Sequence, residues 1–465
     1  MTAPRLCLAV FLLAATPLAA AGPDVDPRIA KLVADVSPSR LEATLKKLES
    51  FQTRHLLSST DTPGRGIGAA RQWILDEMKS YSPRLQVSFD TYRIPKQGER
   101  VPREVELRNV MAVLPGRSAR RFYVSGHYDT VARPVRPSPA PAASPTPAAS
   151  PSAARPAGES ASGGFDWTVG DNRAPGVNDD GSGTALTMEL ARAVSQSGLA
   201  FDATLVFICF AGEEQGLVGA RLHAQRAEAE KLVIDGVLNN DIVGNAVGGQ
   251  GVKDTGSVRV FSEGPEDSAS RQLARAVRRQ AALYVPSHRV RLIARYDRFG
   301  RGGDHIAFNT QGYAGVRFTE SKENYGRQHT VDDVFAGGVD PDYLARNARV
   351  NGAALATLGL APPAPAVVDD HGRPLLTRDP SGYDARLRWT ASPGAASYRI
   401  FWREAWTPDW QFEQSTGNVT EFVLPSVSID DFVFGVAAVD AAGHESLVSA
   451  YVNPDRPDAP IQTLP

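Results

Sequence analysis

Cysteine is nearly missing from this 465-residue chain: Cys7 and Cys209 are the only two. Cys7 lies in an N-terminal stretch that reads as a cleavable leader, so the mature chain cannot close an internal disulfide. A thiolate set of the kind structural zinc prefers is excluded as well. Cys209 sits inside Ala203-Thr-Leu-Val-Phe-Ile-Cys-Phe210, a continuous apolar run expected to form a buried strand, where a thiol packs as a small hydrophobe.

An excess of charge is also lacking. With 50 Lys and Arg against 52 Asp and Glu the net charge is -2, and the basic residues are scattered, so nothing favours nucleic acid or an anionic bilayer as a partner. No apolar run is long enough to cross a bilayer. The one near the N-terminus, Leu6 to Ala15, follows Arg5 and precedes Leu18-Ala-Ala-Ala21, so residues 1–21 read as an export signal. A secreted or periplasmic protein, with no membrane span once mature, is the expectation.

What is present is ordinary globular composition, 42% apolar and 22% charged, in a chain too long for one core. Helical spacing marks Arg28 to Val36, Ser39 to Phe51 and Ala69 to Tyr81, and strands are expected at Val105 to Leu114 and Arg121 to Ser125. From Arg133 to Gly164 the chain is Pro, Ala and Ser with almost no large apolar side chain, and is expected to be a disordered surface insertion. Helix and strand then alternate from Gly183 to Leu358. That order implies an α/β domain over residues 27–360, its mixed, largely parallel sheet covered by helices on both faces. After a linker over 361–380, residues 381–455 change to short alternating segments, an all-β pattern. Trp389, Tyr398 and Phe434 there resemble a fibronectin type III sandwich.

The chemistry is concentrated where apolar strands give out. The segments are Ser-Gly-His127-Tyr-Asp129, Asn-Asp179-Asp180-Gly-Ser-Gly, Ala-Gly-Glu213-Glu214-Gln-Gly-Leu, Asn-Asn-Asp241 and Arg-Gln-His329-Thr. Ligands of open α/β sheets bind beyond the carboxyl ends of the strands, so His127, Glu213, Glu214 and Asp241 should converge on one crevice. His, Asp and Glu together, without cysteine, suit a catalytic zinc site. Two adjacent carboxylates after an apolar run must be held by cations or carry a proton, and a metal ligand beside a general base gives a reason for the pair.

These five segments, in this order, resemble the co-catalytic di-zinc aminopeptidases, aminopeptidase Y and bacterial leucyl aminopeptidases among them. The likeness covers roughly residues 40 to 360. It implies a peptide substrate and two zinc ions: His127 and Asp241 on one, Glu214 and His329 on the other, Asp179 bridging. Glu213 would be the general base, and Asp129 would accept the other ring N–H of His127. Asp180 is expected to cap the following helix. A carboxypeptidase, a glutaminyl cyclase or a binding protein with a dead site share the same fold. Where some relatives place an oxyanion tyrosine this chain has Gln328 and Gly300, leaving Tyr325 and Tyr296 as substitutes. Gly303-Asp304-His305 resembles a pocket-lining segment of the family, with helix capping by Asp304 the other reading.

Overall fold

The computed structural model describes residues 25–133, 165, 167–380 and 384–452. The expected leader and all but the first residue of the Pro/Ala/Ser insertion lie outside the described residues.

The first domain is built on eight strands: β1 (Gln86–Ile94), β2 (Val105–Leu114), β3 (Arg121–His127), β4 (Thr204–Phe210), β5 (Ile234–Asn240), β6 (Ser257–Ser262), β7 (Arg289–Ile293) and β8 (Gly315–Glu320). They run in the order β1-β2-β4-β3-β5-β8-β6-β7. The heart, β4-β3-β5-β8, is parallel, whereas β2 joins β4 and β6 joins β8 antiparallel. The sheet is thus mixed with a parallel centre, as expected. Strand β1 was not anticipated, because neither of its faces is fully buried and its apolar alternation is shallow.

Side chains alternate across the sheet with period two, and β4 shows both cores at once. Leu205, Phe207 and Cys209 enter the larger core, while Val206, Ile208 and Phe210 enter a smaller one with Tyr123, Val237 and Phe308. Helices α1 (Pro27–Ala34), α2 (Pro38–Ser50), α3 (Gly66–Tyr81), α4 (Gly181–Gln196), α6 (Ala269–Tyr284) and α8 (Pro341–Leu360) cover the first face. Helices α5 (Val218–Ala229) and α7 (His305–Asn309) cover the second. Each Leu or Phe fully withdrawn from water contributes about 1.5–3 kcal/mol, so this double layer holds the strand ends firmly. Cys209 is fully buried and burial pushes its thiol well above the ordinary range, which makes it a packing residue.

Downstream, β9 (Leu376–Arg378), β10 (Ala385–Arg388) and β13 (Glu421–Leu424) form one antiparallel sheet. A second holds β12 (Phe412–Thr416), β11 (Ser397–Glu404), β14 (Phe432–Val439) and β15 (Ser449–Ala450). Trp389, Tyr398, Ile400 and Phe434 fill the space between them, so the region is a β-sandwich. It docks on α6 through buried charge. Arg403 grips Asp267 with both carboxylate oxygens at 2.8 Å, and Arg275 adds a contact to the same group at 3.2 Å. Arg279 and Arg399 both pair with Glu413 and Glu445. Beyond α6, Nε2 of His444 meets Asp26, the cap of α1, at 2.9 Å.

Candidate metal centre

Two glycines let the site form. A Cβ on Gly126 would lie 2.5 Å from the backbone of Gly183, and one on Gly183 would lie 2.0 Å from the carbonyl of Asn240. Only bare backbone lets β3, β5 and the start of α4 come this close. His127 ends β3, Asp241 follows β5, Glu213 and Glu214 follow β4 after two residues, and Asp179 precedes α4. Asp180 caps that helix as expected: its Oδ1 accepts the N–H of Gly183 at 2.8 Å, and its Oδ2 accepts the N–H of His127 at 3.0 Å. His329 lies between β8 and α8 with φ at 57°, a left-handed conformation rare outside glycine that turns its imidazole towards the other ligands.

The structure gathers His127, Asp179 and Asp241 into one group and Asp179, Glu214 and His329 into another, each with candidate ligand atoms within 4.8 Å of one another. Asp179 belongs to both. Its Oδ1 is 3.4 Å from Nε2 of His127 and its Oδ2 is 3.0 Å from Nε2 of His329, which is 3.2 Å from Glu214. Glu213 belongs to neither group, yet its carboxylate is 3.9 Å from Nε2 of His127.

Hydrogen bonding tests whether a cation fits. Nε2 of His127, Oδ2 of Asp179, Oε1 of Glu214 and Oδ1 of Asp241 are all buried without a hydrogen-bond partner. Buried polar atoms of native proteins are rarely left so, and here each belongs to a ligand group and is free to bind a cation. Proton affinities carry the same strain. Burial pushes the carboxyl of Glu213 up to about 7, and burial with the charges of Asp179 and Glu213 holds Glu214 well above its usual range. Burial works against an anionic Asp179 too, but His329 and His127 outweigh it and draw that group well below the carboxylate range.

Asp129 does more than expected. Nδ1 of His127 is 3.2 Å from its backbone carbonyl and 3.5 Å from its carboxylate, so the nearer acceptor is the main chain. The carboxylate itself receives the backbone N–H groups of Glu213 at 3.2 Å and Glu214 at 3.3 Å. Of the two tyrosines, Tyr325 lines the cleft over the metal groups, whereas Tyr296 is not among the lining residues. Asp304 stands at the start of α7 but makes no capping bond, and both its carboxylate oxygens are buried without a partner. The capping reading of Asp304 is therefore not supported, and Gly302 lines the cleft whereas Gly303, Asp304 and His305 are not among its lining residues.

Several contributors were not anticipated. Arg317, the one basic residue of the buried strand β8, pairs with Oδ2 of Asp241 at 2.8 Å and with Asp297 at 3.2 Å, leaving the other oxygen of Asp241 free. Fully buried Arg54 donates to the carbonyls of Tyr128, Pro175 and Gly176, tying the loop of Asp129 to that of Asp179. Asp333 accepts the N–H groups of Asn178 and Asp179 at 3.0 and 2.9 Å. A charged residue inside an apolar strand was the one available signal, for Arg317. Above the ligands opens a cleft of about 570 Å³, walled in part by Phe165, Trp167, Arg100, Arg133 and Arg301.

Comparison with known proteins gives this geometry a setting. A family model described as peptidase family M28 matches residues 109–355. A protein of Pyricularia oryzae described as a probable zinc metalloprotease is 35% identical over 91% of this chain and 84% of its own length. A probable zinc metalloprotease of Leptosphaeria maculans is also 35% identical, over 90% of this chain and 95% of its own. Among solved structures, LapB of Legionella pneumophila superposes with a TM-score of 0.53 at 17% identity, covering 73% of this chain and 76% of that one. The LapA aminopeptidase of the same organism gives 0.51 at 16%, covering 73% and 77%. A glutaminyl cyclase of Macrostomum lignano gives 0.51 at 16%, covering 73% and 95%. At such identities the structural likeness concerns the fold.

Proposed function

This chain belongs to peptidase family M28 and is a zinc metallopeptidase, and from that premise we propose that it is an exported aminopeptidase working with two zinc ions. The observation that carries the reading is the pair of ligand groups sharing Asp179, with Glu213 close by but in neither. Zinc held by the two groups supplies a Lewis acid for the scissile carbonyl and a water of lowered pKa.

The chain's own residues do the rest. Glu213, in neither ligand group but facing the same cleft, takes the proton from the attacking water and returns it to the leaving amine. Asp129 orients His127 through its carbonyl and the Glu213-Glu214 backbone through its carboxylate, so one residue sets a ligand of each group and the base. Arg317 holds Asp241 in place from behind. The substrate's free amine is received by Glu213 and Asp241, which both face the cleft. Tyr325, on the same wall, is the donor proposed for the developing oxyanion, its hydroxyl leaving the 3.5 Å contact it makes with Glu323. Export rests on residues 1–21, and no helix among the described residues is long and apolar enough to cross a membrane. The downstream sandwich is proposed to be of the fibronectin type III kind, its partner unassigned.

The test is a pentapeptide presented in three forms: free, N-terminally acetylated and C-terminally amidated. Acetylation is expected to stop cleavage and amidation to leave it unaffected. Release of the C-terminal residue from the acetylated form would overturn the reading in favour of a carboxypeptidase. Elemental analysis is expected to find close to two zinc ions per chain, and a ratio near one would favour the cyclase alternative.

A further inference from the structure

We propose that the cleft selects substrates bearing a carboxylate close to the scissile bond, received by Arg100, Arg133 and Arg301. The proposal rests on the aminopeptidase reading for the direction of cleavage and on three observations of its own.

The first is charge balance. With zinc bound, Asp179, Glu213, Glu214 and Asp241, which all line the cleft, would carry four negative charges, and two divalent cations would cancel them. The neighbouring arginines then form a surplus. Glu323 receives Arg259 at 2.6 Å and Arg298 at 2.7 Å, and these cations hold its carboxyl down at about 2 against the opposing effect of burial. Arg301 is left at 4.0 Å from that already shared carboxylate. Among the described residues, no carboxylate lies within ion-pair distance of Arg100 or Arg133, and both side chains are exposed to solvent.

The second is posture. Each guanidinium lies against an aromatic ring of the cleft: Arg100 at 5.2 Å from the centre of Trp167, Arg133 at 5.4 Å from Phe165, and Arg301 at 5.9 Å from Tyr325. A stacked guanidinium loses less freedom on binding and keeps its donor edge for a bidentate carboxylate. The third is attachment. Arg100 donates to the carbonyl of Glu214 at 3.3 Å, the N–H of Arg133 donates to the carbonyl of His329 at 2.9 Å, and Arg301 donates to the side chain of Gln328. All three residues are therefore tethered at, or one residue from, a ligand of the second metal group, Arg100 and Arg301 by the guanidinium and Arg133 by its main chain.

The carboxylate has two possible sources: an acidic side chain on the substrate's first residue, or the terminal carboxylate of a dipeptide. Zinc-loaded, full-length protein is assayed with Asp-Ala-amide against Asn-Ala-amide for the first source, and with Leu-Ala against Leu-Ala-amide for the second. At least one carboxylate substrate is expected to exceed its neutral counterpart by about tenfold in kcat/KM, mainly through KM, because a charge-assisted hydrogen bond is gained. Raising ionic strength should compress that ratio. Arg100→Gln, Arg133→Gln and Arg301→Gln combined should bring it close to one. Ratios within about twofold for both pairs in the wild-type protein would overturn the proposal, as would a ratio that survives in a folded, zinc-loaded triple variant. Acetyl-Leu-Ala separates the two readings. Its cleavage overturns the aminopeptidase direction, whereas flat ratios with free-amine peptides still cleaved overturn the carboxylate preference alone.

Discussion

Two of the places where buried charge gathers among the described residues, the ends of β3, β4 and β5 and the seam between α6 and the sandwich, are balanced in opposite ways. Along the seam, Arg275, Arg279, Arg399 and Arg403 each face a carboxylate within 3.2 Å. At the strand ends, four carboxylates converge with Arg317 as the one arginine or lysine in ion-pair contact among the described residues. The seam is balanced in charge as it stands; the strand ends are balanced only with added positive charge. Density of buried charge therefore does not mark a site, whereas its imbalance does.

The largest way to break this comparison is at Glu213. Glu213→Gln keeps the shape and loses the base, so kcat should fall below about a hundredth of wild type with zinc content unchanged. Glu214→Gln should instead lower zinc occupancy by elemental analysis, since Glu214 belongs to a ligand group and Glu213 does not. A Glu213→Gln protein that has lost its zinc would merge the two roles.

At the seam the expected loss is in stability. Asp267→Asn removes the anion from buried Arg403, while Arg275 keeps Glu266, and breaking a buried pair from one side costs about 3–5 kcal/mol. Denaturant unfolding should show that loss while zinc content stays at its wild-type level. A loss below about 1 kcal/mol would place the seam with exposed ion pairs.

Next in size is a pH effect confined to the metal-free protein. Folded, Glu213 keeps its proton to about 7, whereas an unburied glutamate loses it near 4.5, so between those values the folded state binds more protons. Stability should therefore fall as pH rises from about 4.5 to about 7, by about 3 kcal/mol from this group. His127, raised by the charge of Glu213 and bonds to Asp129 and Asp179 against opposing burial, adds a loss of the same sign as pH climbs through its own titration. Zinc should remove most of this slope, because a cation holds the carboxylates anionic. Unfolding of chelated and zinc-loaded protein at pH 5 and pH 7.5 measures it. The smallest effect is expected at the exposed pair Arg378–Asp430, where Arg378→Ala should change stability by no more than about 0.5 kcal/mol despite contacts of 2.7 and 2.8 Å.

The parallel centre of the sheet was legible in the sequence because β3, β4 and β5 are apolar on both faces and end abruptly in polar residues. His127, Glu213, Glu214 and Asp241 stand at those ends, which is why a crevice could be anticipated. Arg54 and Arg317 were not legible, since their partners lie up to 122 and 76 residues away and no local spacing encodes the contact. The arginine rim was hidden for a similar reason: Arg100, Arg133 and Arg301 sit on three separate loops without periodicity, and only the fold brings them to one opening. Asp304 shows the opposite error, a residue type and position that suit a cap, set in a place where its side chain turns elsewhere.

The contact between His444 and Asp26 joins residues 418 positions apart. On a ribosome adding about 5–20 residues per second, Asp26 is made roughly 20–80 s before its partner exists. Every strand of the peptidase sheet, from Gln86 to Glu320, is synthesised during that wait. The segment carrying His444 then fastens onto α1, as a clasp closed after the strands beneath it have been made.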